Sequence, residues 1–139
     1  MFSRNSFAPI NESWGYDNRT TAVRAFLNNG NGSRLEQRMG SADANPYLVI
    51  GASLAGGLYG LENELDLRED ASTDAYQGNG RPLPKTLEHA LNYLDKSKTA
   101  KKYFGEEFVK LILQIGRNEV RLYEEAVTDW EFNRYFEYS

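Results

Sequence analysis

The spacing of apolar and polar residues separates a strand-forming front part of the chain from a helix-forming remainder. Residues 18–26 and 33–39 are predicted to be two strands, because residues 28–32 (NNGNG) between them tolerate the positive φ angles of a tight turn. In the second run, Leu35 alternates with charged residues, which is typical of a strand with two unlike faces. The pattern therefore predicts an antiparallel hairpin.

A long uncharged run follows the hairpin and is predicted to be a buried helix. Asn45 is suited to the N-cap, and Pro46 to the first helical position, where its missing N–H costs nothing. The helix should extend to about Leu65. Residues 44–61 approach the length of a membrane span, but they include an asparagine, a proline, a serine and four glycines, so a buried helix is the preferred interpretation.

Helices and one loop make up the rest of the predicted elements. Residues 66–84 carry acidic residues, glycine and proline without apolar periodicity, so we expect a surface loop that packs against nothing. A helix should begin at Thr86, and a long helix with one apolar stripe should follow it. The stripe consists of Phe104, Phe108, Leu111, Ile112, Ile115, Leu122 and Ala126. Residues 128–137 add a short aromatic helix, and a hairpin or sheet followed by packed helices predicts an α+β fold.

Composition limits the function classes. The chain has 139 residues, no cysteine, a formal net charge of -4 and a pI near 5.1, which describes one soluble domain or part of a larger one. The absence of cysteine excludes disulfides and thiolate metal sites and fits a reducing compartment, so the cytoplasm is the expected location. The amino end lacks the apolar stretch of a signal peptide. Overall acidity disfavours nucleic-acid binding.

Arg34, Glu36 and Arg38 form the most informative polar pattern. In a strand their side chains share one face, and the hairpin would bring Arg19 and Arg24 beside them. Guanidinium groups suit phosphate or carboxylate, and a lone carboxylate suits a Mg²⁺ ion that phosphates also hold. With no GxxxxGK[ST] loop and no GxGxxG at a helix start, a nucleotide site would have to use such scattered charges. The alternative is a solvated, salt-bridged sheet face.

Three runs in this region resemble the carboxy-terminal catalytic segment of the glutamine synthetase family. They are residues 18–24 (NRTTAVR), 34–38 (RLEQR) and 43–47 (DANPY), and their order and spacing agree with the family pattern. Residues 103–108 (YFGEEF) and 127–131 (VTDWE) are similar to the ends of glutamine-synthetase-like amine ligases. The resemblance covers nearly the whole chain and implies a segment of the catalytic domain.

The resemblance implies an ATP-dependent ligase that makes an amide from glutamate and an amine through a γ-glutamyl phosphate intermediate. Arg19 would be catalytic, in contact with ATP, the transferring phosphoryl group and glutamate, and Arg24 and Arg34 would hold ATP phosphates. Arg38 would bind the glutamate carboxylate, and Glu36 would ligate Mg²⁺ or Mn²⁺. Fixed cations at the transferring oxygens would supply most of the catalysis. Family members form stacked hexameric rings, so a homo-oligomer is expected.

Two departures from the family pattern matter, and the first concerns the acceptor. Residues 5–9 (NSFAP) stand where glutamine synthetases proper carry a motif ending Tyr-Glu-Ala-Pro, so Phe7 replaces a glutamate that deprotonates ammonium. This variant resembles γ-glutamylpolyamine synthetases and related amine ligases, which favours a polyamine or monoamine acceptor. The alternatives are ammonia as the acceptor and Phe7 as an ordinary packing residue.

The second departure is that the family's other metal-binding glutamates and its metal-binding histidine lie upstream of the residues present. His89 follows the three runs within a helix and is expected to be solvated. Met1 occupies the place of a substrate-binding arginine, next to a phenylalanine that Phe2 matches. We therefore expect residues 1–139 to be a carboxy-terminal fragment that is inactive alone. The alternatives are a free-standing assembly or regulatory module of the family and, weakly, nucleic-acid binding.

Overall fold

The structure is a computed structural model that describes residues 8–28 and 32–136. The chain forms two compact units, Met1–Lys85 and Thr86–Ser139. The described part of the first unit contains a sheet and an apolar helix, and that of the second contains helices. The mixture confirms the predicted α+β class.

Three strands form the sheet within the described residues of the first unit, in the order β1-β2-β3. They are β1 (Trp14–Tyr16), β2 (Val23–Phe26) and β3 (Arg34–Gln37). β2 and β3 are antiparallel, with Arg24 opposite Glu36, so the predicted hairpin is confirmed with shorter strands. β1 runs parallel to β2 and was not predicted, because its three residues are too few to show a strand pattern.

The predicted strand at residues 18–22 is wrong, because this segment is a turn. Asn18 Oδ1 accepts hydrogen bonds from Thr20 N at 2.9 Å and from Thr20 Oγ1 at 2.7 Å, and Thr21 Oγ1 donates to the Asn18 carbonyl at 2.8 Å. Such local side-chain bonds offer the backbone an alternative to a strand ladder. In the predicted hairpin turn, Gly32 has a φ of +86°, and residues 29–31 lie outside the described residues.

The segment at residues 66–84 packs against the sheet, which contradicts the expected free loop. The Ala71 N–H donates to the Trp14 carbonyl at 2.8 Å, and Ala75 is only 2% exposed within a short 3₁₀ helix, Ala75–Gln77. A Cβ at Gly15 would lie 2.7 Å from the Ala71 oxygen, so this close approach requires glycine in β1. Backbone bonding to an edge strand holds the segment, and apolar periodicity does not reveal such bonding.

Glu12, two residues before β1, forms ion pairs with both ends of this segment. Its carboxylate accepts hydrogen bonds from Arg68 at 3.0 Å and from Arg81 at 3.1 Å. Partial burial disfavours the charged carboxylate, but the bonds from Arg68 and Arg81 outweigh burial and lower the pKa of Glu12. The ion pairs therefore stabilise the first unit only while Glu12 is ionised.

We expect this contribution to depend on pH. Because the folded-state pKa of Glu12 is depressed, the stability it contributes is present above the unfolded value of 4.5 and is lost as the pH falls through the folded value. Urea unfolding of the wild type and Glu12→Gln should differ most at neutral pH, and the difference should shrink as the pH falls through the lowered pKa of Glu12. Glu69→Gln, at an exposed position of the same segment, is the control. A difference for Glu12→Gln that does not vary with pH would contradict the assignment.

Helix α1 (Pro46–Glu62) begins as predicted and ends three residues before Leu65. The Asn45 side chain accepts a hydrogen bond from Tyr47 N at 3.0 Å, which confirms the N-cap. The prediction that this helix is buried is wrong, since Ala55 is its only buried residue and Tyr47 is 84% exposed. The helix is apolar on all sides, and in the described residues of the first unit no strand packs extensively against it. No helix in the described parts of the chain is long and apolar enough to cross a membrane.

The second unit is helical in its described residues. Its helices are α2 (Leu87–Lys96), α3 (Lys98–Phe104), α4 (Glu106–Glu125) and α5 (Trp130–Tyr135). Thr86 caps α2 and accepts a hydrogen bond from His89 N at 3.2 Å, as its predicted start requires. Gly105, at a φ of +81°, separates α3 from α4, so the predicted helical stripe that starts at Phe104 is broken there. Glu137, in the predicted last helix, lies outside the described residues.

The core of this unit lies between α2 and α4. Leu91, Val109 and Leu113 are each no more than 6% exposed and pack together. The predicted stripe is wrong in phase, because Leu111 and Ile115 are about half exposed. The face of α4 that meets α2 includes Gly116, where a Cβ would lie 2.6 Å from Leu91 Cδ2, and a glycine in that face carries no hydrophobic signal.

The buried and exposed leucines of α4 allow a direct test. Leu113→Ala should lower the free energy of unfolding of the second unit by about 2–4 kcal/mol, because it removes buried methyl groups and leaves a cavity. Leu122→Ala, at a position that is 47% exposed on the same helix, should cost less than about 1 kcal/mol. Urea titration followed by far-ultraviolet circular dichroism measures both values. Equal losses would contradict this core.

Candidate active site

Arg24 lies at the centre of the candidate site. The pairing of β2 with β3 places it opposite Glu36, and its Nη1 donates to Glu36 Oε2 at 3.2 Å while its Nη2 donates to the Asp17 carboxylate. The Arg24 side chain is only 12% exposed. Burial disfavours its charge, but the bonds to Asp17 and Glu36 outweigh burial and raise the pKa of the guanidinium. Arg24 is therefore a fixed cation.

Glu36 bridges two guanidinium groups. Its second oxygen, Oε1, accepts a hydrogen bond from Arg34 Nη2 at 3.3 Å. The carboxylate is partly exposed, and the Arg34 side chain more so. The structure thus brings Arg24, Arg34 and Glu36 together on one sheet face, as the alternation in residues 34–38 predicted.

Phe26 belongs to this cluster and was missed in the sequence. The guanidinium carbon of Arg24 lies 4.1 Å from the centre of the Phe26 ring, and that of Arg34 lies 3.8 Å from it. A ring face attracts cations and restricts where planar guanidinium groups lie. The sequence nevertheless indicated that Phe26 lies beside Arg24, because residues 24 and 26 share one face of a strand.

Arg19 and Arg38 form a second group. Arg38 Nη2 donates to the Arg19 carbonyl at 2.7 Å, and Arg38 Nε donates to the Thr21 carbonyl at 3.2 Å. These bonds reach the main chain of the turn at residues 18–22, and the Arg19 residue itself is exposed. The structure therefore places Arg38 against the backbone of Arg19.

A cavity of about 650 Å³ connects the turn with the neighbouring segment. Arg19 and Arg24 both line it, as do residues 72–74. Sequence reasoning missed residues 72–74, because it treated the surrounding segment as a loop that packs against nothing. The same cavity is therefore lined by an exposed arginine and a largely buried one, together with Asp17 and Asp74.

The third run of the resemblance, residues 43–47, is the start of α1. Ser41 Oγ donates to Asp43 Oδ1 at 2.6 Å, and this hydrogen bond lowers the pKa of Asp43. Asn45 caps the helix. In the described residues this run therefore has a clear local structural role at the helix N-terminus.

The cluster fits a nucleotide and a divalent metal in part. Arg24 and Arg34 carry guanidinium groups, which suit phosphate oxygens, and the Glu36 carboxylate between them is a hard oxygen ligand of the kind that Mg²⁺ prefers. Among the residues that the structure describes, no group of three or more His, Cys, Asp or Glu is placed to hold a metal ion. His89 is exposed and stacks on Tyr93 with ring centres 4.9 Å apart. Glu36 can therefore be one ligand of a site that needs others.

Neutralising Glu36 should change how the cluster binds anions. Glu36→Gln keeps the side-chain shape and removes the charge that competes for Arg24 and Arg34, so tripolyphosphate should bind several-fold more tightly in the absence of divalent metals. Isothermal titration calorimetry at low salt measures this. Glu107→Gln, which removes the partner of Lys110 on α4, should leave the affinity unchanged. Unchanged or weaker binding by Glu36→Gln would show that these arginines do not receive the anion.

Comparison with known proteins identifies the family. Residues 2–135 match the family model of the glutamine synthetase catalytic domain. The chain is 40% identical over 136 residues to γ-glutamylethanolamide synthetase of Streptomyces coelicolor (98% of this chain, 29% of that protein), and 42% identical over 136 residues to type-1 glutamine synthetase 2 of Dictyostelium discoideum (94% and 26%). A solved GmaS/ADP complex superposes with a TM-score of 0.80 at 27% identity, over 99% of this chain and 32% of that one. The chain belongs to the glutamine synthetase family, as its motifs predicted.

Coverage limits what the relatives imply. The chain spans less than a third of the length of the two relatives named above. The positions on which the acceptor and the amino-terminal boundary were argued, Met1, Phe2 and Phe7, lie outside the described residues.

Proposed function

We propose that residues 1–139 are the carboxy-terminal segment of the catalytic domain of a longer ATP-dependent glutamate–amine ligase. The observation that carries the proposal is the cluster of Arg24, Arg34 and Glu36 on one sheet face, in a chain of the glutamine synthetase family. Fixed guanidinium groups next to a carboxylate suit a reaction that transfers a phosphoryl group. The relative from Streptomyces coelicolor is named as a ligase of this kind.

The proposed reaction has two steps. A γ-carboxylate oxygen of glutamate attacks the γ-phosphorus of ATP, and ADP leaves, which forms γ-glutamyl phosphate. The amine nitrogen then attacks the acyl carbon, and inorganic phosphate leaves with the C–O bond electrons while the nitrogen loses a proton. A Mg²⁺ or Mn²⁺ ion, when bound, would neutralise phosphate charge. In the first step, the arginines of residues 1–139 would hold the phosphate oxygens of ATP and the carboxylate oxygens of glutamate in place.

The four arginines would divide the binding of ATP and glutamate among them. Arg24 and Arg34 would bind ATP phosphates and Glu36 would provide one metal ligand, so that phosphate oxygens would replace the carboxylate as partners of the two guanidinium groups. Arg19, exposed beside the cavity, would contact the transferring phosphoryl group and glutamate. Arg38, whose guanidinium lies against the main chain of the turn at residues 18–22, would bind the glutamate carboxylate.

The proposal is tested by phosphate release. The assay uses the full-length protein that contains this chain, or a chimera in which the chain replaces the matching part of the Streptomyces coelicolor relative. Release should require ATP, glutamate and an amine, and Arg34→Ala should reduce it by at least roughly tenfold, because a phosphate contact is lost. Arg121→Ala, at an exposed position that pairs with Glu125 on α4, is the matched control. No release with any acceptor would refute the ligase.

Phe7 should favour an amine over ammonia as the acceptor. An aromatic side chain neither accepts a proton nor attracts ammonium as a carboxylate does, so polyamines or monoamines should have a higher kcat/KM than ammonia. Phe7→Glu should raise kcat/KM for ammonia relative to the amines, and Phe7→Tyr should not. Ammonia as the preferred acceptor of the wild type would instead support a glutamine synthetase proper, the activity in the name of the Dictyostelium relative.

A non-catalytic assembly or regulatory module is the second candidate. The exposed apolar side chains of α1 favour contact with further protein, whether in a longer chain or in a homo-oligomer of stacked rings in the cytoplasm. Sedimentation of residues 1–139 alone separates the two candidates. A folded oligomer would support the module, whereas a monomer with fast hydrogen exchange would support the fragment.

A further inference from the structure

The side-chain amide of Asn18 joins two segments that are distant in sequence. Its Nδ2 donates to the Ala71 carbonyl at 2.7 Å and to the Thr73 carbonyl at 2.6 Å. Its Oδ1 accepts from Thr20 N at 2.9 Å and from Thr20 Oγ1 at 2.7 Å. An asparagine amide has two donors and two acceptor sites, so all four are used.

The turn is held from two further directions. Thr20 Oγ1 accepts a hydrogen bond from Ala75 N at 2.9 Å, and Arg38 donates to the carbonyls on the other side. The backbone of Arg19 therefore lies between fixed neighbours, whereas the residue itself is exposed beside the cavity. Such bonds fix the position of the Arg19 main chain, from which the side chain extends. They do not involve the guanidinium group of Arg19.

We propose that Asn18 is a positioning residue for Arg19, which it places by clamping the turn at residues 18–22 to the segment at residues 71–75. The catalytic consequence rests on the proposed function, because only that proposal gives Arg19 a part in phosphoryl transfer. A displacement of about 1 Å in a positioned group can cost on the order of 100-fold in rate. The observed bonds require a side chain as short as that of asparagine that carries two amide N–H donors and an acceptor oxygen.

The first test compares two Asn→Asp variants in the full-length enzyme. Asn18→Asp removes both donors and sets a carboxylate against two carbonyls, so kcat should fall roughly 10- to 100-fold while KM for ATP changes less than about threefold. Asn63→Asp removes a similar bond, from Asn63 Nδ2 to the Tyr59 carbonyl at 2.7 Å, far along the chain from Arg19, and kcat should stay unchanged. An equal loss in both variants, or a loss that only follows thermal stability, would overturn the proposal.

A double-mutant cycle shows whether Asn18 acts through Arg19. In an Arg19→Ala background, Asn18→Asp should cause little further loss of kcat, since the group that it positions is already absent. If the two losses multiply instead, Asn18 has an effect independent of Arg19 and the proposal fails.

Hydrogen exchange separates this proposal from the proposed function. Amides of residues 18–22 and 71–75 should exchange faster in Asn18→Asp than in the wild type, whereas Asn63→Asp should leave them unchanged. If the wild-type enzyme has no ligase activity, the proposed function fails, and this measurement still decides whether Asn18 clamps the turn. Unchanged exchange in both segments would overturn the clamp whatever the activity.

Discussion

The need to bond the buried main chain of one turn organises the first unit. Thr21 is fully buried and Ala22 is 2% exposed, so backbone groups there are cut off from water and require partners. Arg38 reaches the turn from one side, and Asn18 connects it to the 71–75 segment. A short run with little regular structure therefore becomes the point where three parts of the chain meet.

The position at which that turn ends determines which side chains of β2 face the candidate site. β2 begins at Val23, and alternation along it sends Arg24 and Phe26 to the face on which β3 presents Glu36. Charge is balanced locally, with Arg24 held by two carboxylates and Glu36 shared between two guanidinium groups. The guanidinium groups of Arg24 and Arg34 are already bonded to carboxylates. An anion that binds at this face must therefore replace a carboxylate as their hydrogen-bond acceptor. Under the proposed function, nucleotide and metal binding would be coupled through Glu36.

The parts that could be predicted depend on neighbours in sequence. The hairpin, the cap at Asn45 and the start of α2 at Thr86 are local events with well-known residue preferences, and each was confirmed. The phase of the stripe on α4 was missed because its contact face includes Gly116, which has no side chain to reveal it. The packing of the 66–84 segment was missed because it depends on backbone bonds to an edge strand more than fifty residues away.

The sequence by itself determined the family and the presence of Arg24, Arg34 and Glu36 on one sheet face, because motif order and strand alternation are properties of the chain as written. Tertiary structure alone decided which partners those charges have. In the folded chain Arg24 pairs with Asp17 and Glu36, and Arg38 bonds to the main chain of Arg19. Tertiary structure also decided that α1 is exposed. The physical reason is that hydrogen bonds and burial depend on distances between segments remote in sequence, and only folding sets those distances.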